Sequence, residues 1–183
     1  MEKIILISGK AGAGKDTAAQ MMKEYLETKG KRVAVTHYAK HMKDMLYEFY
    51  NWDGIKDAWA RNKLQWLGTE KIRIAMNMPE FHVKRTSENM DIIQEDFDYF
   101  IVADCRFPNE LEYVGNYFGK DSTVTIRVNR INYKSTLSPE AQNHPSEISL
   151  DSWEDWDYEI ISMNNDLDGL RAQCELIVDK ILA

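Results

Sequence analysis

Ile4-Ile5-Leu6-Ile7-Ser8-Gly9-Lys10-Ala11-Gly12-Ala13-Gly14-Lys15-Asp16-Thr17 is the stretch whose reading decides the fold. An apolar run leads into a glycine-rich loop, Gly9 to Thr17, and an amphipathic helical pattern follows. Strand, glycine loop and helix in that order are what a phosphate-binding loop requires. Backbone N–H groups of Gly9, Lys10, Ala11, Gly12, Ala13 and Gly14 would wrap a polyphosphate. The helix N-terminus adds its positive dipole end, and Lys15 adds a full charge. The loop therefore predicts bound ATP or GTP and phosphoryl chemistry. It departs from the usual pattern at one position. A Ser or Thr ordinarily follows the lysine, whereas here Asp16 does and Thr17 comes next.

The rest of the composition narrows the class. The chain has 183 residues, 44% hydrophobic and 29% charged, with a net charge of −7. This suits one soluble domain with a full core. Without a basic tail or polybasic run, a nucleic-acid polymer is not an expected partner. Cys105 and Cys174 are the only cysteines. They lack metal-ligand spacing, so a cytoplasmic protein is expected, with neither a disulfide framework nor a zinc site. The first residues enter a strand directly, with no signal peptide. No apolar run approaches the ~20 residues of a membrane helix, so no membrane association is expected.

Periodicity predicts strands over 4–8, 32–37, 99–103, 123–128 and 158–162. Helices are predicted over 17–29, 39–50, 57–76, 79–88, 108–118 and 167–182. Residues 130–143 are polar, lack a strong period and read as a mobile segment. Alternating strands and helices imply an α/β fold, a parallel sheet with helices on both faces. Ligands in such sheets bind at the carboxyl ends of the strands. The loop, Asp104 and Asn164-Asn165 all fall at such ends.

Phe100-Ile101-Val102-Ala103-Asp104 has the form of an apolar strand with a carboxylate at its tip. Such an Asp can hold Mg²⁺ beside a phosphate loop, and is also common as a plain turn residue. Asp16 can likewise bind the metal, orient a substrate group, or simply start a helix. Thr17 still offers a hydroxyl to a phosphate. Phosphoryl transfer between two anions needs several cations. Arg73, Arg106, Arg127 and Arg130 are the candidates, with Lys43 and Lys134 behind them. His144 with Glu147 invites a catalytic reading, although a turn followed by a helix start explains the pair more simply. His37, His41 and His82 have no ligand spacing and read as structural. The tryptophans read mostly as core, with Trp66 a candidate for stacking on a base.

Several blocks, taken in order, resemble the P-loop deoxynucleoside monophosphate kinase family of bacteriophages, with animal-type phosphomevalonate kinase as a relative. They are Gly9 to Thr17 with its GKDT ending, Leu64-Gln65-Trp66-Leu67-Gly68-Thr69-Glu70 followed by Arg73, Asp104-Cys105-Arg106-Phe107-Pro108-Asn109-Glu110, His144-Pro145-Ser146-Glu147, and Asn164-Asn165. The resemblance implies a nucleoside monophosphate kinase-like, five-stranded parallel sheet in one domain, residues 1–183. It implies an inserted acceptor-binding region over 38–98 and a mobile lid over 130–147. Mg²⁺ and ATP would be the cofactors and a dNMP the acceptor, with the protein a monomer or homodimer. By position, Lys15, the loop amides and Asn164-Asn165 would hold ATP, and Asp16 and Asp104 would sit near Mg²⁺. Lys43, Trp66, Arg73, Asp104, Arg106, His144 and Glu147 would face the acceptor. Arg127 and Arg130 would clamp the transferring group as the lid closes.

Other readings are weaker. Phosphomevalonate and dephospho-coenzyme A kinases share the loop and lid logic with different acceptors. A GTPase-type switch needs an NKxD motif, but Asn62-Lys63 is followed by Leu64-Gln65. The DxxG match at Asp166-Leu167-Asp168-Gly169 lies beyond the last strand, where a switch loop cannot be.

Overall fold

The computed structural model describes residues 1–183. β1 (Lys3–Ser8), β2 (Val33–Thr36), β3 (Tyr99–Cys105), β4 (Thr123–Arg130) and β5 (Tyr158–Ser162) form one sheet in the order β2-β3-β1-β4-β5. Every neighbouring pair is parallel. α1 (Lys15–Thr28), α2 (Lys40–Tyr50), α3 (Ala58–Gln65), α4 (Phe81–Ile92), α5 (Pro108–Phe118), α6 (Pro139–Gln142), α7 (Pro145–Ile148) and α8 (Leu167–Leu182) complete the chain. No helix is long and apolar enough to cross a membrane.

Period-two alternation along β1 explains the layers. Ile5 and Ile7 face one side, where α1 supplies Ala18, Met22 and Leu26 and α8 supplies Leu170, Cys174 and Val178. Ile4 and Leu6 face the other, against Val83 and Met90 of α4 and Leu111 and Val114 of α5. Because both faces are covered, the central strands read as continuous apolar runs. The expected α/β sheet with helices on both faces is what the chain forms.

Between β2 and β3 the chain builds a smaller body on its own core of Met42, Leu46, Trp52, Ala60 and Leu67. Two expectations fail there. The tryptophans are expected mostly in the core, yet Trp59 and Trp66 are 47% and 43% exposed. The helix expected over 57–76 also changes character. It is α-helical to Gln65 and π-helical over Trp66–Ala75. A π turn bonds residues five apart and so keeps them near one face. Leu67 and Ile72 have that spacing and are both buried.

Two strands run further than their periodicity suggests. β3 continues through Asp104 to Cys105, and β4 continues to Arg130. The segment beyond β4 contains two short helices. α6 is capped by the Ser138 hydroxyl, which accepts from the Ala141 amide at 3.2 Å. α7 is capped by His144.

Candidate active site

The phosphate loop leaves β1 at Ser8 and enters α1 at Lys15. Gly14 caps the helix at φ 98°, a backbone conformation that excludes most side chains. The loop is moored on both sides. The Ser8 hydroxyl donates to the Cys105 carbonyl at 3.0 Å, and the Ser162 hydroxyl donates to the Ala13 carbonyl at 2.9 Å. A Cβ on Gly9 would collide with the Val128 carbonyl, so this corner fits only glycine.

Lys15 folds back over the loop and donates to the carbonyls of Gly9 at 2.7 Å and Lys10 at 3.0 Å. Burial, and then the charge of Arg106, push its ammonium down to about 7. Asp16 faces a cleft of about 340 Å³ and meets His37 Nε2 at 2.9 Å. The bond to His37 holds its carboxyl down at about 2, against the opposing effect of burial. Thr17 is exposed on the outer side of α1 and does not line the cleft.

Asp104 also lines the cleft, but the strand does not end there. Its two oxygens accept from the amides of Tyr38 at 2.7 Å and Ala39 at 3.1 Å, so it anchors the start of α2. No group of three or more His, Cys, Asp or Glu could hold a metal by itself. Mg²⁺ commonly takes one or two carboxylates, with phosphates and water completing its shell. The open carboxylate of Asp16, with Asp104 in the same cleft, fits that use.

Arg73 and Arg106 line the same cleft, and each is held there by a carboxylate. Arg73, in the π segment, pairs with Glu110 and donates to Asn109 at 3.2 Å. The side chains of Arg73 and Glu110 are 8% and 4% exposed. The Glu110 carboxylate also accepts from the amides of Arg106 at 2.6 Å and Phe107 at 3.1 Å. Arg73 is thus bound into the start of α5. Arg106 pairs with Glu147 at 2.9 Å and donates to the Gly9 carbonyl at 3.2 Å.

Arg127 does not line the cleft. It lies buried between the Ser8 hydroxyl at 3.0 Å and Asp151 at 3.2 Å, because its place on β4 faces the neighbouring strand. Arg130 donates to the Gly12 carbonyl at 2.8 Å and stacks on Tyr133, whose hydroxyl lies over Gly12. The segment after β4 therefore rests on the phosphate loop.

Glu147 joins that segment to the loop. Its carboxylate accepts from the Ala11 amide at 2.8 Å while pairing with Arg106. His144 accepts from the Ser146 amide through Nδ1, which leaves Nε2 to donate to Glu70 at 2.9 Å. Glu70 belongs to the π segment, so His144 links the two bodies.

The remaining candidates divide. Lys43 lines the cleft. Trp66 does not line it; it is turned to solvent with the Lys63 ammonium 4.5 Å above its ring. Asn164 donates to the Asn132 carbonyl at 2.8 Å, tying together the loops after β5 and β4, and Asn165 adopts a left-handed turn at φ 60°. Lys10 pairs with Asp151 at 2.7 Å, and Lys134 is exposed.

Sequence reasoning missed His37, Lys56, Arg61 and His82, all of which line the cleft. His37 follows the carboxyl end of β2, a position that could have signalled it. His82 donates through Nε2 to the Gly68 carbonyl at 3.2 Å, so its Nδ1 accepts from His41 at 2.9 Å.

No family model and no curated protein matches this sequence. Among solved structures the chain is similar to the APS kinase CysC of Mycobacterium tuberculosis in complex with AMPPNP and APS. Identity is 13% and the TM-score 0.57, covering 99% of this chain and 98% of that one. It is also similar to shikimate kinase from Bacteroides thetaiotaomicron, at 12% identity and a TM-score of 0.54, covering 99% of each chain. The chain shares the fold of these two structures.

Proposed function

We propose that this chain is an ATP-dependent kinase whose acceptor is a nucleoside monophosphate, a dNMP, giving the dNDP. The observation that carries the reading is the single cleft with the phosphate loop on one wall and the inserted body on the other. Lys15, Asp16 and Asp104 stand on the first side, and Lys43, Lys56 and Arg61 on the second.

An oxygen of the acceptor phosphate attacks the γ-phosphorus of ATP in line, the bond to the β-bridging oxygen breaks, and ADP leaves. A phosphate monoester is already an anionic nucleophile near neutral pH, so no general base is needed. Catalysis is then positioning, charge neutralisation and exclusion of water. The loop amides and Lys15 would bind the donor phosphates, with Lys15 exchanging its bonds to Gly9 and Lys10 for phosphate oxygens. Asp16 and Asp104 would hold Mg²⁺, which supplies charge neutralisation when bound. His37 would fix the direction of the Asp16 carboxylate. Arg130, one bond from the loop, would turn to the transferring group as residues 130–147 close.

The neighbours of this fold include kinases named for APS and for shikimate, so the nucleotide acceptor rests on the sequence blocks. With it come a cytoplasmic setting and a place in deoxynucleotide metabolism. Thermal stabilisation tests the acceptor. Raised melting temperatures with dTMP or dGMP and none with phosphomevalonate are expected, and the reverse pattern would reject the nucleotide.

A further inference from the structure

We infer that Lys43, Lys56 and Arg61 form the binding site for the anionic group of the acceptor, and that this group is a phosphate monoester. The inference rests on the phosphoryl transfer proposed above and replaces Arg73 and Arg106 as the acceptor's cations.

The cations of the cleft differ in their partners. Lys15 is held by two loop carbonyls. Arg73 is committed to Glu110 and Asn109, and Arg106 to Glu147 and the Gly9 carbonyl. Lys43 from α2, Lys56 from the connection to α3, and Arg61 from α3 line the same cleft. None of the three has a carboxylate partner in an ion pair.

Lys43 and Arg61 are half-buried, and Lys56 is exposed. Burial pushes the Lys43 ammonium down and the charge of Lys56 pushes it further, while Asp104, Asp16 and Asp44 pull the other way. An anion beside Lys43 would offset both its burial and the nearby charge of Lys56. Their position also suits the chemistry. The three line the same cleft as Lys15 and Asp16, and Lys56 is near enough to draw down the Asp16 carboxyl, so the cluster faces the phosphate loop across the cleft. An acceptor oxygen must lie there to reach a γ-phosphate. A dianionic monoester matches three cations, whereas a neutral alcohol acceptor would leave them uncompensated. Met42, Leu64 and Phe107 also line the cleft and offer apolar walls, and Gln65 and Thr69 polar groups, for the body of the substrate.

The test is calorimetric titration of the 183-residue chain holding Mg-AMPPNP with dTMP, dGMP, phosphomevalonate and inorganic phosphate. Lys43→Gln and Arg61→Gln should each weaken binding of the preferred monoester at least tenfold, with AMPPNP affinity within twofold of the unsubstituted protein. Arg61→Lys should recover part of the loss. Lys63→Gln is the control for bulk charge, since Lys63 lies against the Tyr50 and Trp66 rings, 4.5 Å from each centroid; it should change nothing. Monoester affinity within twofold in both glutamine variants would overturn the assignment. So would an unsubstituted protein that binds no phosphate monoester. The identity of the preferred monoester decides the nucleotide reading separately. A preference for phosphomevalonate that is lost in the variants would reject the dNMP and keep the site.

Discussion

Glu147 sets one carboxylate against both Arg106, at 2.9 Å, and the amide of Ala11 in the phosphate loop, at 2.8 Å. It therefore places a negative charge where the loop is built to receive phosphate, and occupies an arginine of the cleft.

Glu147→Gln should tighten ATP binding. The amide oxygen of Gln can still accept from Ala11, so the substitution removes charge and little else. Removing that repulsion and freeing Arg106 should lower the Kd for Mg-AMPPNP by about tenfold, equivalent to about 1.4 kcal/mol. Calorimetry reads this directly, and an unchanged or weaker affinity would show that the contact does not oppose the nucleotide.

The Arg73–Glu110 pair predicts a stability defect with a definite pH dependence. Breaking a buried pair on one side leaves an uncompensated charge and costs about 3–5 kcal/mol. Burial already pushes Glu110 up to about 7, with Arg73 opposing it. Without Arg73 the folded state would hold a proton on Glu110 more strongly. The destabilisation of Arg73→Met should therefore be full at pH 8 and shrink towards pH 6. Denaturant unfolding at the two pH values checks it. A variant of normal stability that loses only acceptor binding would instead make Arg73 a substrate contact.

His82 predicts a second pH effect, with stability falling on the acid side. Burial pushes its imidazole down from 6.5 to about 4, with the bond to the Gly68 carbonyl opposing and the charges of His41 and Arg73 assisting. Its neutral form accepts from His41 through Nδ1, and protonation removes that bond. A depressed histidine contributes stability that is present above pH 6.5 and lost as pH falls towards 4. His82→Gln keeps a donor for Gly68 and should flatten that part of the curve. Carboxylates titrate at the lower end of the same range, so the difference between the two proteins is the quantity to read. Parallel curves would assign the acid sensitivity elsewhere.

The layers of the fold were legible because buried parallel strands leave continuous apolar runs, as in Ile4 to Ile7 and Tyr99 to Ala103. The bounds of α5 and α8 followed from Pro108 and the Leu170–Cys174–Val178 face. The π segment was not legible, since Ala60, Leu64 and Leu67 keep α-helical spacing and only Leu67–Ile72 departs from it. At the site, glycines at fixed spacing announced the phosphate loop because backbone geometry demands them. The partners of the arginines were not legible for the opposite reason. An arginine's role depends on whether a distant carboxylate claims it, as Glu110 claims Arg73 from 37 residues away. Lys56 and Arg61 sit in no motif, and only folding shows that they are left without partners.

ADP release from Mg-ATP, measured with and without each dNMP, for the unsubstituted protein and Lys15→Ala, tests the central claim most directly. Release that depends on a dNMP and is abolished by Lys15→Ala is the predicted result. ATP binding without ADP release for any nucleoside monophosphate would contradict it.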